Sequence, residues 1–265
     1  MVNWVQVAKQ QLVHRLAKMA GLRRRAVTVD DAGTHLGSQG QAASDRTESS
    51  VGMKKEERRY SSNSSRLSVV LLHGFAGDGI FTWVGALAKH YDVYVPDLLF
   101  FGGSTPSTAS TDRSPAFQAE CVAAALRRLG VERCAVVGFS YGGFVAFRMA
   151  EAHPCLVASV VATGSLVDMP RSTGDAILRR LGAVSIAELL LPHDVAGLRS
   201  LFAAGTHRKW WFPDTILKDY LELALLQMIF NRKERTELLE GMVISDEEAS
   251  APSFRRYVDT PEVSI

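Results

Sequence analysis

Apolar positions fall along this chain in distinct regimes. At the start, Trp4, Ala8, Leu12, Leu16 and Met19 recur with helical spacing and predict an amphipathic helix over residues 2–22. Lys9, Arg15 and Lys18 lie within it, Arg23, Arg24 and Arg25 follow, and the first acidic residue is Asp30. Taken as residues 1–25, such a basic segment packs against a domain edge, contacts an anionic membrane surface through residues 2–25, or acts as an Arg-rich transit peptide. Val27 to Val29 reads as a short strand. The apolar signal then collapses. From Gly37 to Ser65 the chain is Ser, Gly, Gln and mixed charge, too polar to offset the entropy of ordering it, so residues 37–65 are expected to form a disordered linker.

Order returns at residue 66. Leu67–Leu72 is an apolar run rich in Val and Leu, of the kind found in buried parallel strands. Tyr91–Val95, Cys134–Phe139 and Val157–Thr163 read as further strands. Pro115–Leu129, opened by Ser114, and Tyr141–Ala152 read as helices between them. This alternation predicts an α/β domain over residues 66–265, with a parallel sheet and helices on both faces. From Arg171 to Met242 the period turns helical throughout. Segments 173–181, 185–191, 194–204, 213–229 and 231–241 are broken by Pro192 and Pro213. A block of this kind, about residues 170–245, is expected to lie as a lid over the carboxyl edge of the sheet.

Composition narrows the class. The 265 residues are 47% apolar and 22% charged, ordinary globular values that allow one large domain. A net charge of +2, with no basic stretch interleaved with aromatics, gives no nucleic-acid footprint. Cys121, Cys134 and Cys155 are scattered and form no metal spacing, as expected of reduced thiols in a cytoplasmic compartment. No apolar run approaches the roughly 20 residues of a membrane span. Peripheral membrane attachment or organelle targeting through the basic N-terminal helix remains an open alternative.

The chemistry concentrates at Gly138-Phe139-Ser140-Tyr141-Gly142, between a strand and a helix. A serine at a sharp strand-to-helix turn adopts a strained backbone, and the flanking glycines let the chain pass close to itself. Its hydroxyl then stands over the sheet edge beside the free amides of the helix N-terminus. Gly-x-Ser-x-Gly alone arises by chance in roughly one chain in seven of this length. The flanking strand and helix therefore carry the reading; the bland alternative is a tightly packed glycine turn. After the strand at Leu67–Leu72 comes His73-Gly74-Phe75-Ala76-Gly77. Such a loop can aim the Phe75 amide at the site, to form an oxyanion hole with the Tyr141 amide, each donor worth about 3–4 kcal/mol. His73 is expected to hold loop shape. Asp97, in the loop from Pro96 to Ser104, is expected to bond loop amides and not to take part in chemistry.

Together the His73-Gly74-Phe75 loop, the Asp97–Ser104 loop and the Ser140 turn, in that order, resemble the α/β-hydrolase superfamily. The likeness is to its single-domain esterases, lipases and carbon–carbon bond hydrolases with a helical lid, over about residues 66–250. The resemblance implies Ser140 as nucleophile, a small apolar acyl or ester substrate, and no cofactor or metal. A serine at this turn is unlike the aspartate of epoxide hydrolases and dehalogenases. Trp210, Trp211 and Phe212 are candidates to line an acyl pocket or to fill the lid core.

The family orders its triad as serine, acid, histidine, with the histidine after the lid. Here residues 243–265 hold Asp246 and Asp259 but no histidine. His14, His35, His73, His90, His153, His193 and His207 all precede the position of the family's base. His153 is expected to end the helix after the serine. His193 or His207 would have to swing in from the lid, and Asp168 stands where some relatives place an alternative acid. The chain therefore reads as a shortened form lacking the last strands. It is either a serine hydrolase by lineage or a catalytically impaired protein that binds a ligand or partner.

Overall fold

The computed structural model describes residues 23–29, 34–40, 67–75, 77, 91–102, 104, 111–205, 213–215, 217–218 and 232–249. The centre of the fold is a run of parallel strands, β3 (Ser68–Leu72), β4 (Asp92–Pro96), β5 (Cys134–Phe139) and β6 (Val157–Thr163). Two strands extend the β4 side antiparallel, β1 (Arg23–Thr28) and β2 (His35–Gly40), giving the order β1-β2-β4-β3-β5-β6.

The strand period sorts the apolar residues of β3 onto two faces. Val70 and Leu72 join Tyr94 and Val136 in the main core, while Val69 and Leu71 join Val93 and Val95 in a smaller cluster. The main core is covered by α1 (Pro115–Arg128) and α2 (Tyr141–Ala152), which supply buried residues such as Val122, Leu126, Val145 and Met149. α1 begins where expected because the Ser114 hydroxyl accepts the Phe117 amide at 3.1 Å and Pro115 occupies the first turn.

Beyond β6 the chain is helical: α3 (Arg171–Leu181), α4 (Ile186–Leu190), α5 (Val195–Gly205) and α6 (Arg232–Glu240). A parallel pair, β7 (Met169–Pro170) and β8 (Val243–Ile244), brings the entry and exit of this block side by side, followed by α7 (Asp246–Ala249). Of the segment 213–229, residues 214–215 and 217–218 are helical and most of the rest lies outside the described residues.

Two sequence expectations need correction. Residues 23–25, assigned to the basic N-terminal helix 1–25, are the first residues of β1; residues 1–22 lie outside the described residues. Residues 37–40, assigned to the polar linker 37–65, are strand and pair with both β1 and β4. A strand pairs through its backbone, so it needs few apolar side chains where only one or two reach the core. Here Leu36 of β2 does so, and a composition-based reading does not register it.

The strand order also fixes where a site can form. β3 lies between β4 and β5, and the chain leaves β3 toward one side and β5 toward the other. In such sheets, the crevice at the carboxyl ends of the diverging strands is the place where ligands bind.

Candidate active site

The loops leaving β3 and β5 start level with each other, because Leu72 is paired with Gly138. At the end of β5, Ser140 has φ 51° and ψ −119°, a left-handed conformation that costs a non-glycine residue on the order of 1–3 kcal/mol. The turn is held by its own backbone: the Ser140 amide donates to the Thr163 carbonyl at 3.0 Å, and the Ser140 carbonyl accepts from Gly143 at 2.8 Å. The glycine two residues on is a spatial requirement. A Cβ at Gly142 would sit 2.5 Å from the Leu72 carbonyl oxygen. β3 and the start of α2 are thus in backbone contact directly beneath the serine. Ser140 is half-buried. Tyr141 opens α2, so its N–H belongs to the first turn, where no intrahelical acceptor exists.

The facing wall comes from β3. His73 is fully buried. The Leu98 amide donates to its Nε2 at 2.9 Å, which puts the proton on Nδ1, 2.8 Å from the Gly74 carbonyl. Both ring nitrogens are committed, so His73 splices two loops and has no lone pair to offer Ser140. Gly74 packs against the serine turn, where an added Cβ would lie 3.3 Å from Ser140 Cβ. Phe75 follows in a buried turn.

Residues 97–102 pack beside this loop, and side chains from three parts of the chain grip successive residues among them. His73 takes the Leu98 amide. Buried Gln118 of α1 accepts from the Leu99 amide at 2.9 Å and donates to its carbonyl at 3.2 Å. Arg235 of α6 donates to the Phe100 carbonyl from Nε at 3.1 Å and Nη2 at 3.0 Å. Phe100 itself has φ 72°. Asp97 is buried, its carbonyl accepts the Ser104 hydroxyl at 2.5 Å, and its carboxylate presses on Gly102. The loop so held places Phe101 edge-on to His73 and Phe75, with centroids 5.1 and 5.2 Å apart; Phe75 in turn meets Tyr141 edge-on at 5.7 Å. Burial pushes the Tyr141 phenol well above its ordinary range, so it stays neutral.

Above the serine lies a chamber of about 530 Å³. Its floor is Phe139, Ser140 and Tyr141, and its walls are largely apolar, with Met169, Ile177 and Leu178 on one side and Leu190, Leu239 and Met242 on another. No charged residue and no histidine lines it among the described residues.

The other candidates lie apart. His153 caps α2 at its far end, about 20 Å from Ser140 at the helical rise. There its Nδ1 meets Arg127 Nη2 at 2.9 Å and its Nε2 lies 3.1 Å from Glu120 Oε1. His193 is exposed and contacts Arg232. Asp168 is paired with Arg148. His14, His90, His207, Trp210, Trp211 and Phe212 lie outside the described residues, as does the side chain of His35. Among the described residues, no group of three or more His, Cys, Asp or Glu side chains could hold a metal ion, and no helix is long and apolar enough to cross a membrane.

Arg235 and the chamber walls were not singled out from sequence. The available signal was an arginine at the same spacing as Leu238 and Leu239, on the buried stripe of α6.

A strained serine between a parallel strand and a helix, at the divergence point of the sheet, matches a known architecture. The family model described as alpha/beta hydrolase fold matches residues 68–185. The chain carries the α/β-hydrolase fold. It is 39% identical over 100 residues to a pimeloyl-[acyl-carrier protein] methyl ester esterase of Aeromonas hydrophila, covering 37% of each chain. The match thus spans little more than a third of that curated relative's length. Among solved structures, the fold is similar to a membrane phospholipase A described as a bacterial virulence factor. That match has TM-score 0.65 and 24% identity, over 91% of this chain and 69% of the other. It is also similar to 2-hydroxy-6-oxo-6-phenylhexa-2,4-dienoate hydrolase from a Rhodococcus species, with TM-score 0.63 and 19% identity, over 89% and 78%. In this fold the serine turn and the helical block line one chamber.

Proposed function

We propose that this α/β-hydrolase-fold protein is a serine hydrolase acting on carboxylic esters with an uncharged, apolar acyl group. Ser140 Oγ attacks the carbonyl carbon and its proton passes to a general base. The negative charge that develops on the carbonyl oxygen is received by the Phe75 and Tyr141 amides, beside the positive end of α2. The alcohol leaves with a proton, and water then hydrolyses the acyl-serine. The observation that carries this reading is a left-handed serine on the floor of a chamber with apolar walls. The class of ester is supported by the Aeromonas methyl ester esterase and by the absence of charge on the chamber's described walls.

The test is labelling with a fluorophosphonate, which reacts with an activated serine and needs no substrate match. Wild type is expected to label, with the adduct mapping to Ser140, and Ser140→Ala is expected not to. Equal labelling of the two proteins would remove Ser140 as nucleophile.

A second reading rests on one specific observation. The described chamber walls contain no histidine or carboxylate to take the serine proton. Under that reading the chain binds an apolar ligand without turning it over. Ligand-induced thermal stabilisation by medium-chain esters, with the esters recovered intact, would favour it over catalysis.

A further inference from the structure

Arg235 is the charged residue most at odds with its surroundings. It is 4% exposed, on the inner face of α6, and among the described residues no carboxylate pairs with it. Burial pulls its guanidinium down to about 10, which still leaves it charged at neutral pH. Sinking a cation without an anion costs free energy that packing an apolar residue at the same place would avoid. A helix that only had to dock would be served by leucine or methionine at this position.

What the guanidinium does is specific. Two of its nitrogens converge on one acceptor, the carbonyl of Phe100, a non-glycine residue in the left-handed region. Its plane lies over the next residue, with Cζ 4.4 Å from the Phe101 ring centroid. That ring touches His73 and Phe75 edge-on and lies 6.4 Å from Tyr141, tilted by 37°. On the reading given above, Phe75 and Tyr141 carry the two amides that receive the developing oxyanion. The chain of contact runs from the helical block, through one strained loop residue, to the rings of Phe101, Phe75 and Tyr141.

We propose that Arg235 is a positioning residue: it fixes the Phe100–Phe101 turn, and through the packed rings of Phe101, Phe75 and Tyr141 it sets the amides that face the nucleophile. This rests on the reading of Ser140 given above. It predicts that the state of the helical block is felt by the oxyanion side of the site without any lid residue touching the reacting carbonyl.

A control is built into the same helix. Glu237 of α6 pairs with Arg113 at 3.1 Å, and Arg113 lies over the Phe100 ring at 4.6 Å; Glu237→Gln keeps an oxygen that accepts from Arg113 and leaves both contacts of Arg235 in place. Saturation kinetics of fluorophosphonate labelling separate affinity from the rate of serine attack. Arg235→Met, which keeps the bulk, is expected to lower the maximal labelling rate by about tenfold to a hundredfold with little change in half-saturation, the signature of misplaced groups. Arg235→Lys keeps the charge but not the fork or the plane, and is expected to be impaired similarly. Glu237→Gln is expected to label like wild type. A normal maximal rate in Arg235→Met, a full rescue by lysine, or the same loss in Glu237→Gln would overturn the proposal.

The Phe75 and Tyr141 amide resonances, read by ¹H–¹⁵N spectroscopy, test the positioning without any reaction. They should move in both Arg235 variants and stay in place in Glu237→Gln. If wild type does not label at Ser140, the nucleophile reading falls by itself and the resonances still decide for or against Arg235. Their remaining unmoved in folded Arg235→Lys would overturn the positioning role.

Discussion

Gly174 sits within α3, where glycine costs about 1 kcal/mol relative to alanine. It is buried and lines the chamber, and an added Cβ would meet only Ile186 Cδ1 at 3.9 Å and Met169 Sδ at 4.0 Å, two contacts of ordinary length. Space in the chamber, not backbone conformation, is what the missing side chain leaves. Gly174→Ala is therefore expected to raise stability, by up to about 1 kcal/mol in denaturant melts. Gly174→Leu is expected to occupy part of the chamber and shift binding toward shorter acyl chains, read by thermal shift across a chain-length series of alkyl ketones. An unchanged length preference would show that the acyl group lies elsewhere. Single residues differed in how far the sequence disclosed them. Ser140 was legible because its strain is written into glycines at fixed offsets. His73 was legible as a loop splice because it sits at a strand end ahead of a glycine. Arg235 was not, since its acceptor is a backbone carbonyl 135 residues away that no local pattern encodes.

Asp246 joins two elements that the sequence places far apart. Its Oδ1 accepts from the Ser172 hydroxyl at 2.6 Å and the Ser172 amide at 3.1 Å, tying the first turn of α3 to the start of α7 where β7 and β8 meet. These hydrogen bonds hold the carboxyl below its ordinary value of 3.8. Because the folded value is the lower one, the tie is fully present above 3.8 and is lost as pH falls through the folded value. An NMR titration is expected to place the Asp246 midpoint below 3.8 in wild type and closer to it in Ser172→Ala. The same midpoint in both proteins would contradict the assignment. At this scale the sequence read best where period and punctuation agreed. β5, β6 and α2 have the bounds that their apolar period and the breakers after β6 and α2, Gly164 and Pro154, predict. β1 and β2 were missed or curtailed because they are short, polar pieces stabilised by backbone pairing, and β7 and β8 because two residues make no period.

Across the whole molecule, the site exists because of strand order. β3 and β5 are neighbours whose chains depart in opposite directions, and the serine turn and the His73 loop meet in the gap between them. The α/β class and the parallel core followed from alternation alone. The helical block was recognisable as a block, but its chamber was not, because a cavity is a property of how helices face one another and periodicity fixes only which side of each is apolar. The extent of the sheet was also understated, since the first strands contribute to the main core through Leu36, which is fully buried. Leu36→Ala is expected to cost about 2–5 kcal/mol, measured by urea unfolding, with the larger cost arising if the site cannot collapse. A cost near zero would place residues 23–40 outside the cooperative unit. The order of the sheet has a bearing on synthesis as well. β2 leans on β4 and not on β3, so the hairpin of residues 23–40 leaves the ribosome long before its only parallel-core neighbour has been made. The earliest described part of the sheet to be translated thus waits for β4, completed only at Pro96, and until then its unpaired amides are available to other chains.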